Sequence, residues 1–302
     1  CVWDDAGIDT QTLTTLVDRA AAGDAVGPAL ESPAATMLQR LGALRSDARV
    51  MIETTVLNVQ SGEPAATHVR GALFAGAHVI SANKGPVACE YRELADLAAS
   101  RNLSFLFEGA VMDGIPVFNL VRETMPAAEI RGFRGVINST TNHILCALER
   151  GESFDAALKR MQDEGIAEAD PSLDIDGWDA AAKVAAMANV WMDARVTPRD
   201  VVRSGLTPAS ADYARAALAI GKRAKLVGMA RREADHRLHL RVWLEELDAA
   251  DPLAMLDDQA NALEIDTWPL GRVVITQRDG GMEKTAYALV SDLCTLARRL
   301  QR

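Results

Sequence analysis

The sequence predicts an α/β protein in two parts: a parallel sheet wound with helices over the first hundred residues, then an α+β part. Three observations lead there. Short apolar runs at Arg49–Thr55, His78–Ala82 and Leu103–Phe107 alternate with helical stretches. After Met112 that alternation stops, and four strand-like runs come later, at Ala224–Arg232, Arg237–Glu246, Ala262–Thr267 and Arg272–Gln277. Runs close in sequence, such as the first two of these, suit antiparallel pairing. The length of 302 residues allows two domains.

Taken in order, Thr10–Ala22 reads as a helix, and Arg49–Thr55 as the first strand. A Gly-Glu-Pro turn leads to the helix Pro64–Ala75. His78–Ala82 is the second strand, Glu90–Ser100 a helix and Leu103–Phe107 the third strand. Asp113–Met125 is expected to be helical, with Pro116 in its first turn. Glu129–Asn138 is a strand candidate, and helices are expected from Ser139 to about Trp191. Lys284–Leu300 reads as an amphipathic helix. The expected division is residues 1–110, then residues 111–282, with the helix of residues 283–302 packing back on the first part.

Composition narrows the function. The net charge is −10, with 49% hydrophobic and 25% charged residues. That is the profile of a soluble globular chain. It opposes general nucleic-acid binding, which needs a basic surface, and gives no support for an anionic membrane partner. No apolar run reaches the roughly 18 residues that span a bilayer, and no signal peptide is visible. Cys1, Cys89, Cys146 and Cys294 lie far apart without C-x-x-C spacing. Free thiols in a reducing cytoplasm are expected.

The chemistry concentrates in "EGIAEADPSLDIDGWDAAAK", Glu164–Lys183. Lys183 sits in a helix of Ala, Val, Met and Trp, and lysine is almost never buried unpaired. Asp179 lies four residues earlier, on the same helical face. The pair is either a structural i,i+4 contact worth about 0.3 kcal/mol if exposed, or a lysine positioned to exchange a proton with substrate. Burial would lower its pKa and the nearby acids would raise it. Calcium does not suit the loop: with Gly177 at position six of an EF-hand frame, position twelve is Lys183, where a bidentate Glu is required. Pro171, Leu173, Ile175 and Trp178 interleave with the acids and should pin part of the loop. A carboxylate in a pinned loop suits a substrate ammonium; Glu168 and Asp174 are the candidates. In the first part, Thr54, Thr55 and Lys84 follow strands, at the sheet edge where such folds bind ligands. Gly280–Gly281, before the last helix, is either a turn or a place for a ligand to approach a helix N-terminus. The five histidines show no metal spacing.

In order, these segments resemble homoserine dehydrogenases. "MIETTVLNVQSGEPAATHVRGALFAGAHVISANKGPVA" is similar to that family's cofactor-domain block, and "FEGAVMDGIPV" to its F-E-x-x-V-x-x-G-x-P segment. "GVINSTTNHIL" resembles G-x-x-N-G-T-T-N-x-I-L. "EGIAEADPSLDIDGWDAAAKVA" is close to the family signature. The resemblance runs from about Asp4 to the C-terminus. It implies an incomplete Rossmann-type domain and an α+β substrate and dimerisation domain. It also implies NAD or NADP as cofactor, and interconversion of L-homoserine and L-aspartate 4-semialdehyde in threonine, methionine and isoleucine biosynthesis. By resemblance, Lys183 gives the proton, Asp179 holds it and contacts substrate, and Lys84 lies between cofactor and substrate. Gly165, Glu168 and Asp174 bind substrate. Thr54, Thr55, Asn83, Lys84 and Gly281 face the cofactor. A sodium ion is implied at backbone carbonyls of Glu108, Val111, Asp113 and Ile115, and a cytoplasmic homodimer is expected.

Three departures qualify the match. The G-x-G-x-x-G unit that cradles pyrophosphate is absent, and "GDAVG" at Gly23–Gly27 lacks its spacing. About 30–40 residues of that unit are expected to be missing. The NAD-versus-NADP determinant goes with them, so cofactor preference is not readable; without half of the dinucleotide cradle, these 302 residues alone are expected to be inactive or poorly stable. Ser139 stands where the family has Gly, and "QRDGG" replaces a G-x-G-A-G turn, keeping Gly281. No regulatory domain is expected. Another NAD(P)-linked oxidoreductase and a catalytically silent relative are the alternatives.

Overall fold

The computed structural model describes residues 2–164, 167, 170–233 and 235–301. Two helices come first, α1 (Thr10–Ala21), whose N-terminus is capped by Asp9, and α2 (Pro33–Ala43). Then β1 (Val50–Glu53), α3 (Ala65–Phe74), β2 (His78–Ser81), α4 (Lys84–Ser100) and β3 (Phe105–Leu106) form a parallel sheet in the order β1-β2-β3. Val50 pairs with His78 and Val79 with Phe105. β2 is buried along its whole length, as expected for the centre of a parallel sheet covered by helices.

A short helix α5 (Val117–Asn119) runs into a π turn at Leu120–Thr124, followed by β4 (Glu129–Val136). Next come α6 (Ser139–Glu149), α7 (Phe154–Asp163), α8 (Ser172–Ile175) and α9 (Trp178–Met192). The chain continues through β5 (Val202–Arg203), α10 (Ser210–Ala219), β6 (Lys222–Arg232) and β7 (Leu238–Asp248). It closes with β8 (Asn261–Trp268), β9 (Gly271–Gln277) and α11 (Met282–Leu300). The second sheet has the order β5-β7-β6-β4-β8-β9. Its pairs are antiparallel except β5 with β7.

The apolar face of α9 joins the two parts. Ala181, Ala182, Val184, Ala185, Ala186 and Met187 are buried, in one core cluster that also holds Val87 and Ala88 of α4 and Phe133 and Ala230 of the second sheet. Buried Asn189 fixes the α4–α9 contact, donating from Nδ2 to the carbonyls of Val87 and Ala88, each at 3.2 Å. α11 returns to the first sheet, where Leu296 packs on Ile80 and Leu106. The N-terminal part of α4, which follows β2, therefore lies against α9.

Some elements differ from the sequence reading. Asp113–Met125 holds only one short helix and a π turn. Met112 and Asp113 take left-handed φ, and the Phe118 and Asn119 amides bond to the Glu108 carboxylate, which is incompatible with a continuous helix from Asp113. α4 starts six residues earlier than expected, because Asn83 caps it, and Glu90 sits at a kink (φ −138°). α2 and α10 were not foreseen; α2 lays Leu38 against Gly71 of α3. No helix of the described residues is long and apolar enough to cross a membrane.

Candidate active site

Lys183 and Asp179 are one turn apart on α9, with Lys183 Nζ 2.8 Å from Asp179 Oδ2. Only 16% of the lysine side chain is exposed. Its ammonium also donates to the carbonyl of Ile137 at 2.7 Å. Lys84, the first residue of α4, reaches the other oxygen of the same carboxylate, 3.2 Å from Asp179 Oδ1. One carboxylate thus bridges two ammonium groups, one from each part of the chain. Asn138, two residues past the end of β4, caps α6 and donates from Nδ2 to Asp179 Oδ2 at 2.9 Å and to Asp174 Oδ1 at 2.7 Å.

Local backbone chemistry sets this geometry. Gly177 has φ +76°, the left-handed turn that lets α9 start directly after α8. Gly205 lies so close to this loop that a Cβ there would meet the Ile175 carbonyl oxygen at 2.3 Å, and Leu206 N–H donates to that carbonyl at 2.8 Å. The Asp174 turn is therefore clamped between α9 and the Ser204–Leu206 segment.

Electrostatics separate the two acids. Burial works against charge on Asp179, but Lys183, Lys84 and the hydrogen bonds overcome it and hold its pKa well below the carboxylate range. Asp174 goes the other way: burial, then the neighbouring Asp179 charge, push it up. Burial disfavours charge on Lys183, yet Asp179, with Asp174 and Asp113, raises its pKa above the ordinary lysine value. The site thus holds a charged ammonium, a firmly ionised acid and a second acid that takes a proton more easily.

Of the cofactor-side candidates, Thr54, Thr55, Asn83 and Lys84 follow the ends of β1 and β2, and Asn83 joins the two ends. Asn83 Oδ1 accepts from Gly85 N at 2.8 Å, and its Nδ2 donates to the Thr55 carbonyl at 2.8 Å. The Thr55 hydroxyl bonds to Glu53, and Thr54 is exposed. Gly281 begins α11 with open space where a Cβ would stand, and its N–H donates to Asp113 Oδ2 at 3.0 Å. Exposed threonines at a strand end of a parallel sheet fit a dinucleotide's polar groups.

The Glu108–Ile115 loop opens with a helical turn at Glu108–Ala110, and Met112 and Asp113 then take left-handed φ. Burial, opposed by the Phe118 and Asn119 amides and helped by Asp292, pushes Glu108 up to about 7. Asp113 accepts from Gln277, Gly281 and Thr285. Both carboxylates are thus committed to donors, so a cation there would rest on carbonyls, and the Ile115 carbonyl already accepts from Val117 N at 2.8 Å. Gly165 and Glu168 lie outside the described residues. Asn138 was given no role in the sequence reading; an asparagine directly before an apolar helix was the available signal.

A protein-family model, homoserine dehydrogenase, matches residues 116–294. The chain is 38% identical over 246 residues to an NAD(+)-dependent homoserine dehydrogenase from Pseudomonas canavaninivorans, covering 82% of this chain and 70% of that protein. It is 36% identical over 248 residues to a homoserine dehydrogenase from Methanocaldococcus jannaschii, covering 82% and 72%. The crystal structure of a homoserine dehydrogenase from Thiobacillus denitrificans superposes with a TM-score of 0.78 at 31% identity, over 92% of this chain and 62% of that one. The chain belongs to the homoserine dehydrogenase family.

Proposed function

We propose that this chain carries the substrate site of an NAD(P)-dependent oxidoreductase interconverting L-aspartate 4-semialdehyde and L-homoserine. The nicotinamide, when bound, supplies or accepts hydride at the substrate's C4. The chain's own residues bind, orient and handle the proton. As charge grows on the carbonyl oxygen, Lys183 stabilises it and gives it a proton. Asp179 holds Lys183 charged and aimed, and Lys84 links the substrate side to the cofactor side. Asp174 holds the substrate ammonium, with Gly165 and Glu168 proposed beside it. Thr54, Thr55, Asn83, Lys84 and Gly281 would hold NAD or NADP. The carbonyls of Glu108, Val111, Asp113 and Ile115 are the proposed seat of a sodium ion.

One observation carries this reading: the Asp179 carboxylate lies between two lysines at the junction of the two parts. We place the division at residues 110/111, with the helix of residues 283–302 belonging to the first part. Self-association through the second sheet is supported by its face turned away from α9, where Arg134, Met229, Glu264 and Val274 are lateral neighbours and Trp243 is 46% exposed. The free thiols of Cys89, Cys146 and Cys294 support a reducing, cytoplasmic setting. The test is NAD(P)H oxidation with aspartate 4-semialdehyde in a gene product that includes the dinucleotide-binding unit. Lys183→Ala is expected to lower kcat at least ~10²-fold with NAD(P) affinity nearly unchanged. Wild-type turnover in that variant removes Lys183 from the reaction.

A further inference from the structure

Asn138 occupies a position that its helix-capping duty does not explain. Its Oδ1 accepts from Thr141 N at 2.9 Å and from the Thr141 hydroxyl at 2.9 Å. That fixes which way the amide points. Nδ2, with two hydrogens, then faces Asp174 and Asp179, one to each. Turning the amide over would set its N–H groups against the Thr141 N–H and its oxygen against two carboxylates. Serine, aspartate and asparagine cap helices about equally well, so capping alone does not select asparagine. Only asparagine caps the helix and also donates to two acids.

We propose that Asn138 is a positioning residue that clamps Asp174 and Asp179 through one nitrogen, so that Asp179 turns to the lysines while Asp174 stays free for the substrate. This rests on the proposed reading of the site. The groups facing the pair are Lys183 and Asp179 itself on α9, Lys84 on α4, Thr140 on α6 and Asp113 on its loop. Without the clamp, no neutral donor joins the two carboxylates to one another, and Thr140 is the neighbour on α6 that still bonds to Asp174.

Asn138→Ser keeps a cap and removes the clamp. Asn138→Asp keeps cap and shape and adds a third carboxylate. For Asn138→Ser, kcat/KM for aspartate 4-semialdehyde is expected to fall about 10- to 100-fold, mostly through KM. For Asn138→Asp the loss is expected to be larger than for Asn138→Ser and to ease as pH falls, because a proton on the added carboxyl restores a donor. A readout independent of turnover is the ¹³C NMR titration of the aspartate carboxylates, with Asp174 assigned through Asp174→Asn. The Asp174 titration midpoint should move in both variants. Two folded variants with kcat/KM within about 2-fold of wild type and an unmoved Asp174 midpoint overturn the proposal. If instead Lys183→Ala keeps wild-type turnover while the Asp174 midpoint still moves in the Asn138 variants, the reaction reading fails and the clamp stands.

Discussion

Lys183 and Lys225 are both withdrawn from solvent, and their surroundings have opposite chemistry. Lys183 faces a carboxylate directly, and two more act on it. Lys225, on β6, is completely buried and meets neutral acceptors: Asn142 Oδ1 at 2.8 Å, the Leu256 carbonyl and Cys146 Sγ at 3.6 Å. Burial, with nearby Arg223, brings the Lys225 pKa down, although Cys146 and Glu149 oppose it. The same burial on Lys183 is outweighed by Asp179. Burial alone therefore does not set the direction in which a lysine's pKa moves. The acid one turn before Lys183 decides that direction there. Lys225 instead ties β6 to α6 and to the Leu256 loop.

The largest effect that sharpens this contrast is on stability. Lys225→Met leaves Asn142 Oδ1 and the Leu256 carbonyl without that donor in the interior. It is expected to cost about 2–4 kcal/mol in denaturant unfolding. Lys183→Met leaves Asp179 with Lys84 and Asn138, and is expected to cost about 1 kcal/mol while removing turnover. The comparison breaks if Lys225→Met unfolds at the wild-type midpoint, or if Lys183→Met proves the less stable of the two.

This contrast also shows what could be read from sequence. Asp179 and Lys183 are local, four apart on one helix, so the charged pair was legible without coordinates. So were the strands flanking α3 and α4 and the antiparallel β6–β7 pair, because apolar runs and short connections are local signals. Lys225 was not legible: its partners Asn142, Cys146 and Leu256 lie 83, 79 and 31 residues away. Asn138 was missed for the same reason, since its acids are 36 and 41 residues on. The shortened helix after Asp113 depends on Glu108 drawing two amides to its side chain, a tertiary competition that helix patterning does not contain. α10 was missed because its Ala-rich stretch carries a weak amphipathic pattern and is defined by packing on α6 and β6.

A buried acid gives the next test, smaller in size. Glu108 is 2% exposed, and burial pushes it up to about 7. Unfolded, it returns to the ordinary glutamate value. Below that value both states carry the proton. Between it and about 7 the folded state alone keeps the proton, so stability is lost as pH rises through that window. Asp292, also raised, first by burial, adds a loss of the same sign. The melting temperature is expected to fall by a few degrees from pH 5 to pH 8, a change of about 2 kcal/mol from Glu108. In Glu108→Gln the fall should shrink to the Asp292 part. An unchanged slope would mean that Glu108 is ionised throughout, as an acid whose charge survives burial in the way Lys183's does.

The smallest effect comes from a pair with the same spacing as Asp179 and Lys183 but no burial. Lys159 and Asp163 are four apart on α7 and 2.8 Å apart at their charged ends, with 73% and 63% of their side chains exposed. Water already solvates both ions, and ordering two long side chains offsets most of the attraction. Lys159→Ala is expected to change unfolding free energy by no more than about 0.5 kcal/mol, and added salt should erase even that. If Lys159→Ala destabilised the fold as much as Lys183→Met, then spacing on a helix, and not enclosure between α9, α4 and β4, would account for the strength of the Asp179–Lys183 pair.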